Sequence, residues 1–203
     1  VGGCDLQAGG TWLAVDPERR AVATVFTPGV PAPATGGQRT RGHLPLSALS
    51  AVSLESDVDL EAYASFALLM VDARRAQWHA WNGSRLRTEP VPAGTHTANI
   101  DGLDATAVSP RQARWLPTVS ASAPVPFDPG GGPQGRWRGW LDLLSRGLEP
   151  ERRDALLTRH TGGGRVHGTK SVALLALRKD DIRYDVSERP WDPTSYRAVP
   201  LAV

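Results

Sequence analysis

Residues 162–171, GGGRVHGTKS, hold side chains that could bind phosphate: a run of glycines, then a lysine and a serine. In a loop of the form G-x-x-x-x-G-K-[ST], the glycines let backbone amides converge on the phosphate and the lysine neutralises it. Gly163 and Gly168 have that spacing, but Thr169 stands between Gly168 and Lys170. Such a loop also needs a strand before it and a helix after it, because the helix N-terminus supplies the dipole and the free N–H groups. The preceding segment PERRDALLTRH (150–160) reads as a helix with Pro150 near its start. The following segments SVALLAL (171–177) and IRYDV (182–186) read as a β-hairpin with a turn at Lys179–Asp181. Both contexts fail, and the stretch is expected to be a glycine loop leading into a core strand.

Other residues offer less. Cys4 is the single cysteine, so no internal disulfide can form and nothing points to an oxidising compartment. A thiol that uses its own α-amine as base must sit at a chain terminus. Three residues precede Cys4, so it qualifies only after cleavage behind Gly3; a lone cysteine otherwise reads as a small apolar filler. His43, His79, His96, His160 and His167 are dispersed, and the pair around the glycine loop has no carboxylate or thiol beside it, so no zinc site is expected. Trp78 and Trp81 have opposite parity in one strand, whereas Trp137 and Trp140 share a helical face; core packing is the expected role of all four.

The elements around these residues read as an α+β chain. GGTWLAV (9–15) and AVATVF (21–26) are two strands separated by DPERR, and 27–38 is a Pro/Gly loop. HLPLSALSAV (43–52) suggests a short helix and DVDLEAYA (57–64) a further helical turn or two with Asp57 as N-cap. Residues 63–72, 76–81 and 85–91 form an antiparallel meander, with Asn82-Gly83 as a hairpin turn in which both residues tolerate positive φ. Residues 93–105 read as a loop, and 105–135 as an irregular segment rich in Pro, Gly and Ser. In RWRGWLDLLSRG (136–147), Trp137, Trp140, Leu141 and Leu144 line one helical face and Gly147 is the C-cap. Strands, helices, strands, helices and a closing hairpin argue for antiparallel sheets with helices packed on them.

The whole chain has 203 residues, 40% of them hydrophobic and 22% charged, with a net charge of +2. This fits one globular domain spanning 1–203 with no membrane-spanning run. The arginines alternate with acids and form no stripe interleaved with aromatics, so nucleic acid is not an expected partner. No signal peptide opens the sequence, which leaves a cytoplasmic location as the expectation. The first residue is Val1 and the only methionine is Met70, so the expectation is that either the start codon was read as valine or the chain has lost its beginning.

Three segments together resemble the NRDE family, whose animal members are called transport and Golgi organisation protein 2. AGGTWLAV (8–15) is similar to the family's A-G-G-T-W-L-G-V strand, and RTRGHL (39–44) to its S-R-G-E-L segment. HGTKSVALLAL with IRYDVSERPW resembles the family's Y-G-T-R-S strand and its closing V-x-F-x-E-R strand. Between them, WNGSRLRTEPVPAGTHTANIDG follows the family's run from a Gly turn through L-x-P-G to L-S-N-A. The likeness is weak from about 105 to 160.

The resemblance implies an N-terminal-nucleophile hydrolase-like fold, an αββα four-layer sandwich of two antiparallel sheets. It implies a hydrolase of amide or thioester bonds in which a terminal Cys, Ser or Thr attacks and donors from the sheet hold the oxyanion. The family's Met-Cys start and its N-R-D-E signature are missing, so the first strands of the domain are expected to be absent and this chain alone inactive. Asn99 matches the family's L-S-N-A asparagine, which would donate to the oxyanion. Lys170 matches the arginine of G-T-R, which would orient the nucleophile or bind a carboxylate, and Thr169 belongs to the same signature. Lysine keeps that charge but loses the planar fork. Val25-Phe26, His43 and His167 depart from the family's T-N, Glu and Tyr at the corresponding places. The alternative is a non-catalytic carrier of a small molecule, haem or an acyl lipid. No cofactor is expected, with haem entering only as cargo.

Overall fold

A computed structural model describes residues 1–6, 9–28, 39–122, 124–127, 131–162 and 165–201. The chain begins with β1 (Leu13–Asp16) and β2 (Ala21–Phe26), then α1 (Leu44–Ser50) and α2 (Leu54–Asp57). β3 (Phe66–Val71), β4 (Ala76–Trp81) and β5 (Leu86–Pro90) follow and complete a five-stranded antiparallel sheet in the order β1-β2-β3-β4-β5. A two-residue ladder joins β6 (Ala98–Asn99) to β7 (Gly102–Leu103). Next come α3 (Pro110–Ser120), α4 (Pro133–Arg136) and α5 (Arg138–Arg146). β8 (Arg159–Gly162) and β9 (Arg165–Gly168) form a hairpin, while β10 (Val172–Arg178), β11 (Asp181–Ser187) and β12 (Arg197–Ala198) form a three-stranded antiparallel sheet. The protein is thus mixed α+β with antiparallel sheets.

Alternation in the strands divides the apolar residues among three clusters. Ala23, Val25, Phe66, Leu68 and Trp81 pack on Leu44 and Ala48 of α1 and Leu54 of α2. The opposite parity of β1 and β2 puts Val15 and Val22 against Tyr184, with Leu175, Ile182 and Val186 of the second sheet packed on them. The other parity of β10, Leu174 and Ala176, packs with Trp137, Leu141 and Leu144 beside Tyr196. Trp78 faces away from the helix-covered side of its sheet and meets Phe26 at 5.4 Å between ring centroids.

Two of the resemblance segments meet here, backbone to backbone. The Thr11 N–H donates to Gly42 O at 2.8 Å, and a Cβ placed on Gly10 would lie 2.6 Å from the Gly42 carbonyl carbon. Only a residue without a side chain permits that approach. The glycines of AGGTWL and RTRGHL therefore serve one contact, which docks the entry to α1 against the entry to β1.

Several expectations need correcting. Residues 150–160 are not a helix: they run through turns into β8, with Ala155 and Leu157 buried at alternate positions and Glu151 at φ 64°. Arg152 pairs with Glu149 and Asp154 there, which holds the turns through side chains. The expected irregular stretch contains α3, which begins at Pro110 and is tied down by bonds from Trp115 Nε1 to Asp154 O and from Arg114 to Glu149. The turn expected over 57–64 is a single 3-10 turn, Leu60–Ala62, with Asp59 and not Asp57 at its N-cap position; Asp57 instead ends α2, which Ser53 caps, and accepts from the Val52 and Ser53 amides. In the β4–β5 turn only Gly83 has positive φ, at 101°, while Asn82 acts through its Oδ1, which accepts from the Ser84 and Arg85 amides. The loop at 93–105 holds the β6–β7 ladder, and the glycine stretch belongs to the β8–β9 hairpin instead of forming a simple lead-in loop. Gly163 and most of the 27–38 loop lie outside the described residues.

Among the described residues no helix is long and apolar enough to cross a membrane. His79 in β4 is buried, with Nδ1 2.9 Å from Thr88 Oγ1 and Nε2 without a hydrogen-bond partner among the described residues. Burial, aided by the nearby Arg75 charge, pushes its pKa below the ordinary value. The unfolded chain therefore takes up a proton below about pH 6.5 that the folded chain refuses. Stability should fall as pH drops from about 6.5 toward the depressed folded pKa, by at most about 1.4 kcal/mol per pH unit. Urea unfolding of wild type and His79→Gln at pH 7.5 and 5.5 checks this: the wild type should lose more stability than the variant over that interval.

Candidate functional site

The HGTKS segment takes its shape from one close backbone approach. Gly168 pairs with Arg159 across the β8–β9 hairpin, and a Cβ there would sit 2.2 Å from Thr158 O. The next residue binds the same position twice: Thr169 N–H donates to Thr158 O at 2.9 Å, and Thr158 N–H donates to Thr169 Oγ1 at 3.1 Å. Glycine is needed for contact, threonine locks the crossing, and Lys170 then projects at the entry to β10. Because Thr169 Oγ1 accepts in that lock, its own hydrogen is left to donate, and no described residue takes it.

These residues line a cavity of about 410 Å³ together with Arg159, Glu188 and Trp191. Lys170, Arg159 and Glu188 are exposed, and Trp191 is 37% exposed. Among the described residues no carboxylate lies within ion-pairing distance of Lys170 or Arg159. The cleft thus offers two cations against one carboxylate, a hydroxyl donor and an aromatic wall. That set suits an anion with an apolar neighbour, since a charge-assisted hydrogen bond supplies affinity and the indole covers the apolar part. The third resemblance segment explains the composition: its two halves, GTK and SERPW, are apart in sequence but meet in this cleft through Gly168, Thr169 and Lys170 on one side and Glu188 and Trp191 on the other.

Asn99 lies elsewhere. It lines a cavity of about 530 Å³ with Asp101, Ser109, Arg111, Arg153 and Asp154, and no residue of that lining belongs to the Lys170 cleft. Its Nδ2 donates to Asp101 Oδ2 at 3.1 Å and to Ser109 Oγ at 2.8 Å, which engages both amide hydrogens. Its Oδ1 accepts from the Asp101 amide at 2.8 Å. An oxyanion could be held by Asn99 only in exchange for one of these bonds and beside the Asp101 charge. Cys4 is an exposed free thiol and lines neither cavity. The residues carried over from the resemblance therefore divide into Thr169 with Lys170, Asn99 apart, and Cys4 apart.

The dispersed histidines include two that the fold gives carboxylate partners. His96 Nδ1 lies 2.5 Å from Asp104 Oδ2, and the Thr97 amide donates to Asp104 Oδ1. Burial by itself would raise the Asp104 carboxyl, but the His96 and Thr97 hydrogen bonds hold it below the usual carboxylate range. His160 and His167 face each other across β8 and β9, and Glu151 Oε2 comes within 3.6 Å of His160 Nδ1, a neighbour that sequence spacing hid. Among the described residues no cluster of three metal-ligating side chains forms. No sequence signal singles out the His96–Asp104 pair, because it depends on Asp104 taking φ 48° after the β6–β7 ladder.

No protein-family model, curated protein or solved structure matches the chain.

Proposed function

We propose that the protein is an NRDE-type relative of the N-terminal-nucleophile hydrolases that binds a small carboxylate-bearing molecule in the Thr169–Lys170 cleft. The observation that carries this reading is the cleft itself: a lysine without an ionic partner among the described residues, beside a threonine hydroxyl with a free hydrogen and an exposed tryptophan. The three apolar clusters support the finer fold assignment. Their order runs from α1 and α2 to the five-stranded sheet, to the β10–β12 sheet, to α5, as an αββα sandwich requires. The glycine contact joining AGGTWL to RTRGHL and the shared cleft of GTK and SERPW support the family resemblance, since each motif then has a physical reason.

On such a scaffold the cleft would hold the carboxylate end of a substrate whose amide or thioester bond is cleaved by a terminal nucleophile. The carrier reading is favoured by a specific arrangement: Asn99, the matched oxyanion donor, lines a different cavity and has both amide hydrogens engaged. The described residues supply recognition of a ligand, and we take binding as the function of the cleft, with haem, whose propionates are carboxylates, as one cargo of that class.

Phenylacetate, which combines a carboxylate with a ring for Trp191, is a suitable probe. Lys170→Ala should weaken its binding about tenfold or more, because a hydrogen bond to a charged group contributes about 1.5–3 kcal/mol. Lys170→Arg should retain affinity, since arginine restores the planar fork. Lys170 is exposed, so the unfolding free energy of the alanine variant should stay within about 0.5 kcal/mol of wild type. Equal affinities of wild type and Lys170→Ala in calorimetric titrations would remove Lys170 from the site.

A further inference from the structure

The Thr169–Lys170 cleft opens where the β10–β11 ladder stops. Val172 pairs with Ser187 as the last step of that ladder, and Lys170 and Glu188 lie just beyond it on the two chains that leave it. Continued by one step, the register would set Glu188 opposite Ser171 and diagonal to Lys170, where cross-strand charges of opposite sign attract each other. The two do not pair. Both are exposed, both line the cleft, and neither has an ion-pair partner among the described residues. Arg159, also without an ionic partner among them, is a second cation in the same lining. Uncompensated charges of both signs therefore border one gap.

The turn that carries Glu188 is fixed on both sides of it. Ser187 and Pro190 are buried. Ser187 Oγ accepts from the Arg189 N–H at 2.9 Å, the Asp192 N–H donates to Arg189 O at 2.8 Å, and Tyr196 Oη donates to Pro190 O at 3.2 Å. The neighbouring cation does not neutralise Glu188, because Arg189 pairs with Asp192 and takes no part in the cleft lining. Of the SERPW residues, Glu188 and Trp191 are the two that line the cleft. A backbone already ordered in this way lowers the cost of bringing a carboxylate to a ligand.

We infer, resting on the reading of this cleft as a carboxylate site, that its ligand is an aminocarboxylate: a molecule with a protonated amine next to its carboxylate and an apolar, ring-sized side chain, as in an aromatic amino acid. Lys170 and Arg159 take the carboxylate, Glu188 accepts from the ammonium group, and the Trp191 indole covers the side chain. Glu188 is then the residue that determines specificity. It attracts the zwitterion and repels a plain carboxylate, so it sets the choice of ligand more than the affinity.

L-Phenylalanine and 3-phenylpropanoate test this, since they share a skeleton and differ by the ammonium group. In proton–nitrogen NMR titrations of the full chain near pH 7, L-phenylalanine should bind roughly threefold more tightly, the scale of an exposed ion pair. Lys170→Ala should weaken both by about tenfold or more, because both present a carboxylate. Glu188→Gln, at an exposed position, should weaken L-phenylalanine, tighten 3-phenylpropanoate and so erase or reverse the preference. Equal wild-type affinities, tighter binding of 3-phenylpropanoate, or a preference that survives in Glu188→Gln would overturn the role of Glu188 while leaving the carboxylate reading in place. No saturable shift with either ligand would overturn both.

Discussion

Asp185→Ala should lower the unfolding free energy by about 3–5 kcal/mol, the cost of removing one partner from a buried ion pair. Asp185 is fully buried in β11, on the face that carries α5. Both its oxygens accept from Arg136 Nη2 at 3.1 Å, and Oδ2 also accepts from Trp137 Nε1. Arg136 is only 13% exposed, and its Nη1 is already committed to Gly131 O. Removing the carboxylate leaves a guanidinium with little water to turn to and an indole N–H with no acceptor. The penalty is therefore that of stranded groups more than the net worth of the pair. Combining Asp185→Leu with Arg136→Met should recover most of the loss, because apolar replacement of both partners removes the stranded charge. Urea unfolding followed by circular dichroism measures both; a loss under about 1 kcal/mol for Asp185→Ala would mean that water reaches Arg136.

Gly10→Ala should cost about 3 kcal/mol or more, at the upper end of what overpacking costs. The new methyl would lie 2.6–2.8 Å from the Gly42 carbonyl carbon, Cα and oxygen, and none of these can rotate away. One segment must retreat, and the Thr11–Gly42 hydrogen bond goes with it. Gly3→Ala is the control in the same short segment: a Cβ at Gly3 meets nothing within 4 Å, so its effect should stay within about 0.5 kcal/mol. Equal unfolding midpoints for the two variants would contradict the close approach that joins the two motifs.

The parts of the fold that could be read from the sequence are those whose periodicity is local. β3 with β4 and β10 with β11 pair as sequence-adjacent antiparallel strands joined by short turns, and the Trp137–Leu144 stripe of α5 packs into one cluster as its spacing requires. The parts misread depend on partners far along the chain. PERRDALL has helix-forming residues, yet Arg111 and Arg114 of α3 draw Arg153 O and Glu149 away into tertiary bonds. α3 itself was hidden by Pro110 and Pro117, one of which merely starts the helix. In the site, the Gly-Thr-basic pattern of 168–170 was legible, but its cause was not: Thr158, ten residues before Gly168, is what forbids a side chain there. The separation of Asn99 from Lys170 is likewise a matter of packing.

The central claim is that the Thr169–Lys170 cleft holds a carboxylate. Proton–nitrogen NMR spectra recorded during a phenylacetate titration test it most directly, because they report position as well as affinity. The expected result is a saturable set of shifts confined to the Gly168, Thr169 and Lys170 amides and the Trp191 indole, moved to about tenfold or more higher phenylacetate concentration in Lys170→Ala and absent with the uncharged amide phenylacetamide. Shifts centred on the Asn99 cavity, or shifts that are the same for phenylacetate and phenylacetamide, would contradict it.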